Sequence, residues 1–267
     1  MRTPFLLFAA LAFAALCLAA SSARAAQNPV TLAEAKALAE PLGADGILLD
    51  FRLQELRLAP DASAKHPGVA KAVETANRDM KAFVVAENLD LYRRMPELFA
   101  VSARAGARHA EARFNMEEAS LDRADSRILA VSAFCAVRTG SRPDLSGYAA
   151  VYDMASGRRL AFADIVADKR RFTDALVAEA RAQDEHLPES VRDLIVKNPF
   201  LPKPGIEHLP LSLTDREAIV FFPLMANMLK EVRIPFAKHP GVFAALVQQG
   251  HAERTRTNES SPGDRIK

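Results

Sequence analysis

"SRILAVSAFCAVRTG", residues 126–140, decides the fold class. It alternates strongly, with the period of two that belongs to an extended strand. Upstream, "RHAEARFNMEEASLD" (108–122) alternates weakly. Downstream, "GYAAVYDMASGRRLAFADI" (147–165) reads as two short strands around a turn, with Ser156-Gly157 supplying the tight geometry. Three or four consecutive strands of this kind form an antiparallel meander.

Outward from this centre the period changes. Val69, Ala72, Val73, Ala76, Met80, Phe83 and Val84 recur at helical spacing and predict a helix from about Pro67 to Glu87. "NLDLYRRMPELFAVSARAGA" (88–107) either continues that helix with a break before Pro96 or forms a loop and a second helix. "GILLDFRLQELRLAP" (46–60) alternates as a strand, with Leu49, Phe51 and Leu53 on one side. "TLAEAKALAE" (31–40) carries a capping-box pattern, Thr31 with Glu34, and predicts a short amphipathic helix. "RFTDALVAEARAQDE" (171–185) places Phe172, Leu176, Val177 and Ala180 on one helical face, and "PESVRDLIVKN" (188–198) predicts a shorter helix. "PFLPKPGIEHLP" (199–210) is a proline-rich loop. "HLPLSLTDREAIVFFPL" (208–224) reads as a hairpin turning near Asp215-Arg216, "MLKEVRIPF" (228–236) as one further strand, and "VFAALVQQ" (242–249) as a terminal helix. Switching periods and hairpin-length connections predict an α+β fold, antiparallel sheet with packed helices.

The hexapeptide AKHPGV occurs twice, at 64–69 and 237–242. Each copy follows a strand and precedes a helix, and Pro67 and Pro240 suit a first helical turn, where a missing N–H costs nothing. Both copies read as punctuation. The sharper alternative is a pair of anion sites at helix N-termini, assisted by Lys and His.

The first 25 residues combine Arg2, the apolar run "PFLLFAALAFAALCLAA" and small residues at Ala23 and Ala25. This pattern predicts a secretory signal peptide cleaved after Ala25, hence a periplasmic or secreted protein without stable membrane insertion. Its removal takes Arg2 and Arg24 and no acid, which leaves 33 basic against 33 acidic residues. A balanced chain gives no reason to expect nucleic acid as a partner. Cys135 is then the sole cysteine, read as a small buried hydrophobe rather than a reactive thiol. "GHAERTRTNESSPGDRIK" (250–267) has almost no apolar residue and is expected to be disordered.

The residues offer no catalytic signature. The six histidines show no i, i+3 or i+4 pair, and no H-E-x-x-H, paired C-x-x-C, Gly-rich phosphate loop or G-x-S-x-G elbow is present. Glu117-Glu118 on a strand would point to opposite faces and could not flank one bond. The expectation is a chain that is not an enzyme, with no cofactor and no metal.

The stretch from Ser146 resembles the RsiV-type C-terminal domain, a domain of unknown function in many members. "GYAAVYDMASGRRLAFADIVADKRRFTDALV" matches its tyrosine and turn signature, and "LSLTDREAIVFFPLM" and "VRIPFAKHPGVFAAL" stand where that family has a hairpin and a closing strand. "KHPGVAKAVETANRDMKAFV" resembles a helix of the companion N-terminal PdaC/RsiV-like domain. The resemblance implies an N-terminal region at 26–107, an RsiV-type domain at 108–249, and a non-catalytic envelope protein. Its ligand would be lysozyme or another muramidase, or peptidoglycan. The family's aromatic loop is here Pro223-Leu224-Met225-Ala226-Asn227-Met228-Leu229-Lys230, without the aromatics. The docking surface is placed on that loop, Phe222, Pro223, Met225, Asn227, Met228 and Lys230, with Pro223 interrupting strand pairing; the competing expectation is that these residues cap the core beneath the terminal helix. The alternatives are an envelope hydrolase with a site built from distant residues, and a scaffold subunit of an envelope complex.

Overall fold

The computed structural model describes residues 29–60, 67–139, 142–187, 190–197, 205–225 and 228–248. The expected leader, the Lys65-His66 pair and the 250–267 tail lie outside them. The fold is α+β, with antiparallel pairing among the described residues except for one parallel strand pair and the single parallel bridge of Leu53 with Met116.

The N-terminal part contains β1 (Val30–Leu32), β2 (Lys36–Pro41), β3 (Ile47–Leu53) and β4 (Leu56–Leu58), followed by α1 (Pro67–Arg94), β5 (Val101–Arg104) and β6 (Ala107–Glu111). β1 pairs with β4, and the larger sheet runs β2-β3-β6-β5, with β3 and β6 parallel. β3 buries Ile47, Leu49, Phe51 and Leu53 on one face, as its alternation requires. α1 buries Val69, Ala72, Val73, Ala76, Met80 and Val84. It runs beyond Glu87 to Arg94 and stops ahead of Pro96.

Two expectations fail here. Residues 31–40 form β1 and β2 rather than a helix. β2 is an edge strand paired along its whole length with β3, Lys36 opposite Leu53 through Pro41 opposite Leu48. A ten-residue helix is marginal on its own, and the ladder outweighs the capping-box pattern. The segment after Pro96 supplies no second helix either. It forms the β5–β6 hairpin around Ala105-Gly106, both at positive φ, 49° and 82°, the geometry of a tight two-residue turn.

The expected meander is present as β7 (Ala119–Ala124), β8 (Ile128–Thr139) and β9 (Arg142–Asp153). The strand expected after Gly157 shrinks to a single bridge, Tyr152 with Arg159, ahead of α2 (Phe162–Ile165). α3 (Lys169–Gln183) is capped by the Asp168 carboxylate, which accepts from the Arg171 amide at 2.9 Å. Then come α4 (Val191–Lys197), β10 (Leu211–Leu213), β11 (Glu217–Met225) and β12 (Met228–Pro235), the last three forming one sheet.

The quoted strand is apolar on both faces because β8 and β9 wall off two cores. Leu129, Val131, Ala133, Cys135, Tyr148, Ala150 and Tyr152 face α1 and the N-terminal strands. Ile128, Ala130 and Val151 face α3 and β10–β12. A strand buried on both faces reads as a continuous apolar run. Cys135 is 3 % exposed and donates to the Asn115 carbonyl at 3.2 Å. Burial pushes its thiol up to about 12, so it stays protonated and behaves as a small buried hydrophobe.

Candidate functional site

α1 carries Asp79, Ala82, Phe83 and Ala86 along one stripe, at the i, i+3, i+4, i+7 spacing that aligns side chains on a helix face. The two alanines keep that stripe low. Tyr148 and Tyr152 are four apart on β9, so both rings leave the same face of the strand. Where stripe and strand meet, a cleft of about 570 Å³ opens, lined also by Arg159, Glu207 and His208. A smaller hollow of about 70 Å³ continues beneath Arg159 toward Phe162 and Leu211.

The start of α1 is seated by glycine. A Cβ on Gly68 would stand 2.2 Å from the Met154 carbonyl oxygen and 2.3 Å from that of Ala155. Only glycine lets the helix reach the turn after β9 so closely. Within the first AKHPGV this is the role of Gly68: it docks the start of α1 against the turn that leads to Arg159.

Asp79 and Tyr148, which line the cleft, are joined through the fully buried Tyr152 in a relay. Tyr152 Oη donates to Asp79 Oδ2 at 3.1 Å, and the Tyr148 and Tyr152 hydroxyls lie 2.8 Å apart. With Tyr152 donating to the carboxylate, the Tyr148 hydroxyl donates to Tyr152. Burial pushes the Tyr148 phenol up to about 12, against the opposing Tyr152 hydrogen bond and Arg159 charge. Burial drives Tyr152 higher still, helped by Tyr148 and the Asp79 charge. Both phenols are therefore neutral donors at physiological pH. The Phe83 and Tyr148 rings pack at 5.1 Å, inclined by 53°. The exposed Arg159 holds its guanidinium 5.9 Å above the Tyr148 ring and donates to the Ala149 carbonyl at 3.3 Å. On the far rim Glu207 pairs with Lys169 at 2.6 Å, and that hydrogen bond holds its carboxyl below the ordinary range. The cleft thus offers a cation, oriented carboxylates and an aromatic wall side by side.

The residues expected to dock a partner lie elsewhere. Residues 222–230 are not a loop: β11 and β12 pair to their tip, Phe222 opposite Lys230, Pro223 opposite Leu229 and Met225 opposite Met228. The ladder absorbs Pro223 through a register shift between Pro223 and Met225, the irregularity at which a strand tolerates proline. Phe222 is 1 % exposed and belongs to the second core. Lys230 pairs with Asp184 at 2.9 Å. The side chains of Pro223, Met225 and Met228, and Asn227 as a whole, fall outside the described residues.

The second AKHPGV does not open a helix at Pro240. It turns through residues 236–240, with Gly241 at φ 74°, and helical residues begin only at 245. Its Lys and His face a carboxylate: His239 Nε2 lies 2.9 Å from Glu179 Oε1, and Lys238 Nζ lies 3.4 Å from both Glu179 oxygens. This copy is occupied internally, contrary to the anion-site alternative. Burial alone would raise the Glu179 carboxyl, but the His239 hydrogen bond and the Lys238 charge bring it below its ordinary value. A depressed carboxyl stabilises the fold above its unfolded pKa, and that contribution is lost as pH falls through the folded value. Glu179→Gln should therefore cost about 1–2 kcal/mol at neutral pH. The gap from wild type should close below the ordinary glutamate range of ~4.3. Urea unfolding across that range measures it.

The relay and Arg159 carried one readable signal, the Y-x-x-x-Y spacing that puts two phenols on one apolar face. Their partner Asp79 sits 73 residues away from Tyr152, beyond the reach of any local pattern. Among the described residues no group of three or more His, Cys, Asp or Glu could hold a metal ion, and no helix is long and apolar enough to cross a membrane.

No family model matches the chain, and no curated protein matches it. Solved structures similar to it include two DUF3298 proteins. A member of the duf3298 family from Bacteroides fragilis NCTC 9343 aligns at 13% identity over 85% of this chain and 99% of its own, with a TM-score of 0.47. A DUF3298 family protein from Pseudomonas aeruginosa PAO1 aligns at 17% identity over 82% of this chain and 96% of its own, with a TM-score of 0.44.

Proposed function

We propose that the chain is a non-catalytic binding protein of the bacterial cell envelope, an RsiV-type module whose cleft between α1 and β9 takes a peptidoglycan fragment. One observation carries this reading: Arg159 over the Tyr148 ring, the Asp79 carboxylate held by the Tyr152 phenol, which Tyr148 supports in turn, and Phe83 packed on Tyr148, on an open cleft. A muropeptide presents sugar faces, hydroxyls and stem-peptide carboxylates together. Aromatic walls take the first, carboxylates the second and a guanidinium the third. The phenols support binding over catalysis, since groups locked in the protonated state orient Asp79 rather than accept protons. The envelope setting rests on the leader pattern at 1–25 and on the resemblance of 45–248 to the RsiV-type and PdaC/RsiV-like regions.

The test is retention of the chain from Ala26 onward on purified sacculi and, separately, on immobilised lysozyme. Sacculi should retain it. Arg159→Ala should weaken retention about tenfold, the loss of one charge-assisted contact, at unchanged melting temperature because Arg159 is exposed. Retention on neither support removes the reading. Retention on lysozyme alone replaces the peptidoglycan ligand with a protein. Release of soluble glycan from the sacculi overturns the non-catalytic part.

A further inference from the structure

On the side of the meander away from the cleft, the two C-terminal sheets part. Ile219 and Phe221 of β11 pack against Ala149 of β9. Beyond them a hollow of about 240 Å³ remains, lined by Glu118, Ser120, Ser132, Phe134, Phe221 and Glu231. Phe134 is 50 % exposed, the most exposed large apolar side chain among the described residues. A half-exposed phenylalanine at the mouth of a hollow leaves apolar area uncovered. The charges there have one sign: two of the lining residues are carboxylates and none is basic. A third carboxylate, Asp122, lies behind the floor, accepting from Ser212 Oγ at 2.5 Å and from Ser132. The neighbouring cation Arg233 is already committed, to Glu217 at 2.6 Å and to Glu231 at 2.7 Å and 2.8 Å.

We propose that this hollow is a binding site for an alkylammonium group, the chemistry of a lysine side chain, with the stem against Phe134 and Phe221 and the charge toward Glu118, the lining carboxylate that Arg233 does not pair. An apolar stem covers the ring area that water now touches. The ammonium meets the negative face of an aromatic ring and acidic rims, two preferences that a neutral ligand of the same shape does not share. The site is separate from the cleft, and its occupancy does not depend on what the cleft takes.

The probes are n-butylammonium and n-butanol at matched ionic strength, titrated into the ¹⁵N-labelled chain from Ala26 onward. Butylammonium should shift the Ser120, Ser132 and Phe134 amides saturably, and butanol should not. Phe134→Ala should weaken the response roughly fivefold, the scale of an exposed cation–π contact. Glu118→Gln, a change on an exposed rim that leaves the fold intact, should weaken it as well. A lysine-containing peptide that saturates at lower concentration than butylammonium identifies a protein-borne lysine as the source. Equal response to both shows that the free amine suffices. Shifts of the same size with butanol, no saturable shift, or a response unchanged in Glu118→Gln would each overturn the proposal.

Discussion

Replacing Arg123 with alanine is expected to lower the unfolding free energy by about 3–5 kcal/mol. Arg123 lies on β7 with its side chain 3 % exposed. Its Nε donates to Asp125 Oδ2 at 2.5 Å and its Nη1 to the Val247 carbonyl at 2.9 Å. Asp125 in turn accepts from the Arg127 and Ile128 amides, both at 2.8 Å, and so shapes the turn into β8. One guanidinium thus ties the meander to the helical turn at 245–248. Its removal leaves a partly buried carboxylate and a carbonyl without a donor, the costly way to break a buried pair. At about 2–4 °C per kcal/mol for a chain of this size, the midpoint should fall by roughly 10 °C. Hydrogen exchange at Val247 should quicken before the core opens. Arg123→Met should do no better, because it fills the space and supplies no donor. A loss under about 1 kcal/mol would show that the pair is solvated in solution.

Asn88→Leu should cost a similar amount, about 3–5 kcal/mol, through orphaned partners rather than lost volume. Asn88 is 0 % exposed, inside α1. Its Nδ2 donates to the Val84 and Phe114 carbonyls, both at 2.8 Å. Its Oδ1 accepts from the Arg113 amide at 2.8 Å and the Phe114 amide at 3.0 Å. All four capacities of the carboxamide are used, and they clamp the segment after β6 onto the helix. Leucine keeps the size and leaves two amides and a carbonyl of that segment unpaired. Asn88→Asp is the informative companion: it keeps the acceptor but turns a second oxygen toward two carbonyls, so it should be at least as damaging. Urea unfolding of both variants decides the matter, and a neutral Asn88→Leu would mean that water already serves these groups.

What the sequence made legible is what period alone determines. The α1 stripe from Val69 to Val84 and the face of α3 bury the residues their spacing names, whereas β8, buried on both faces from Ile128 to Ala133, is a strand whose alternation separates two cores rather than core from solvent. Where pairing comes from a distant strand, the local pattern misleads. Residues 31–40 look helical because nothing in them announces β3, whose backbone they pair with. Ala105-Gly106 carries a turn with an alanine in the left-handed region, which composition does not advertise. Pro223 suggests an end to pairing, yet one register shift lets the ladder pass. The cleft is the extreme case. The tyrosine spacing was visible in residues 147–165, but the carboxylate that completes the relay belongs to a helix that reaches it only because Gly68 lacks a Cβ.

The most direct test of the proposal that the cleft binds peptidoglycan is a chemical-shift map of the chain from Ala26 onward, titrated with a soluble disaccharide muropeptide. Saturable shifts should gather at Asp79, Phe83, Tyr148, Arg159 and His208, and in Arg159→Ala their midpoint should move to about tenfold higher ligand. Saturable binding whose shifts leave those residues untouched, or no binding at all, would contradict it.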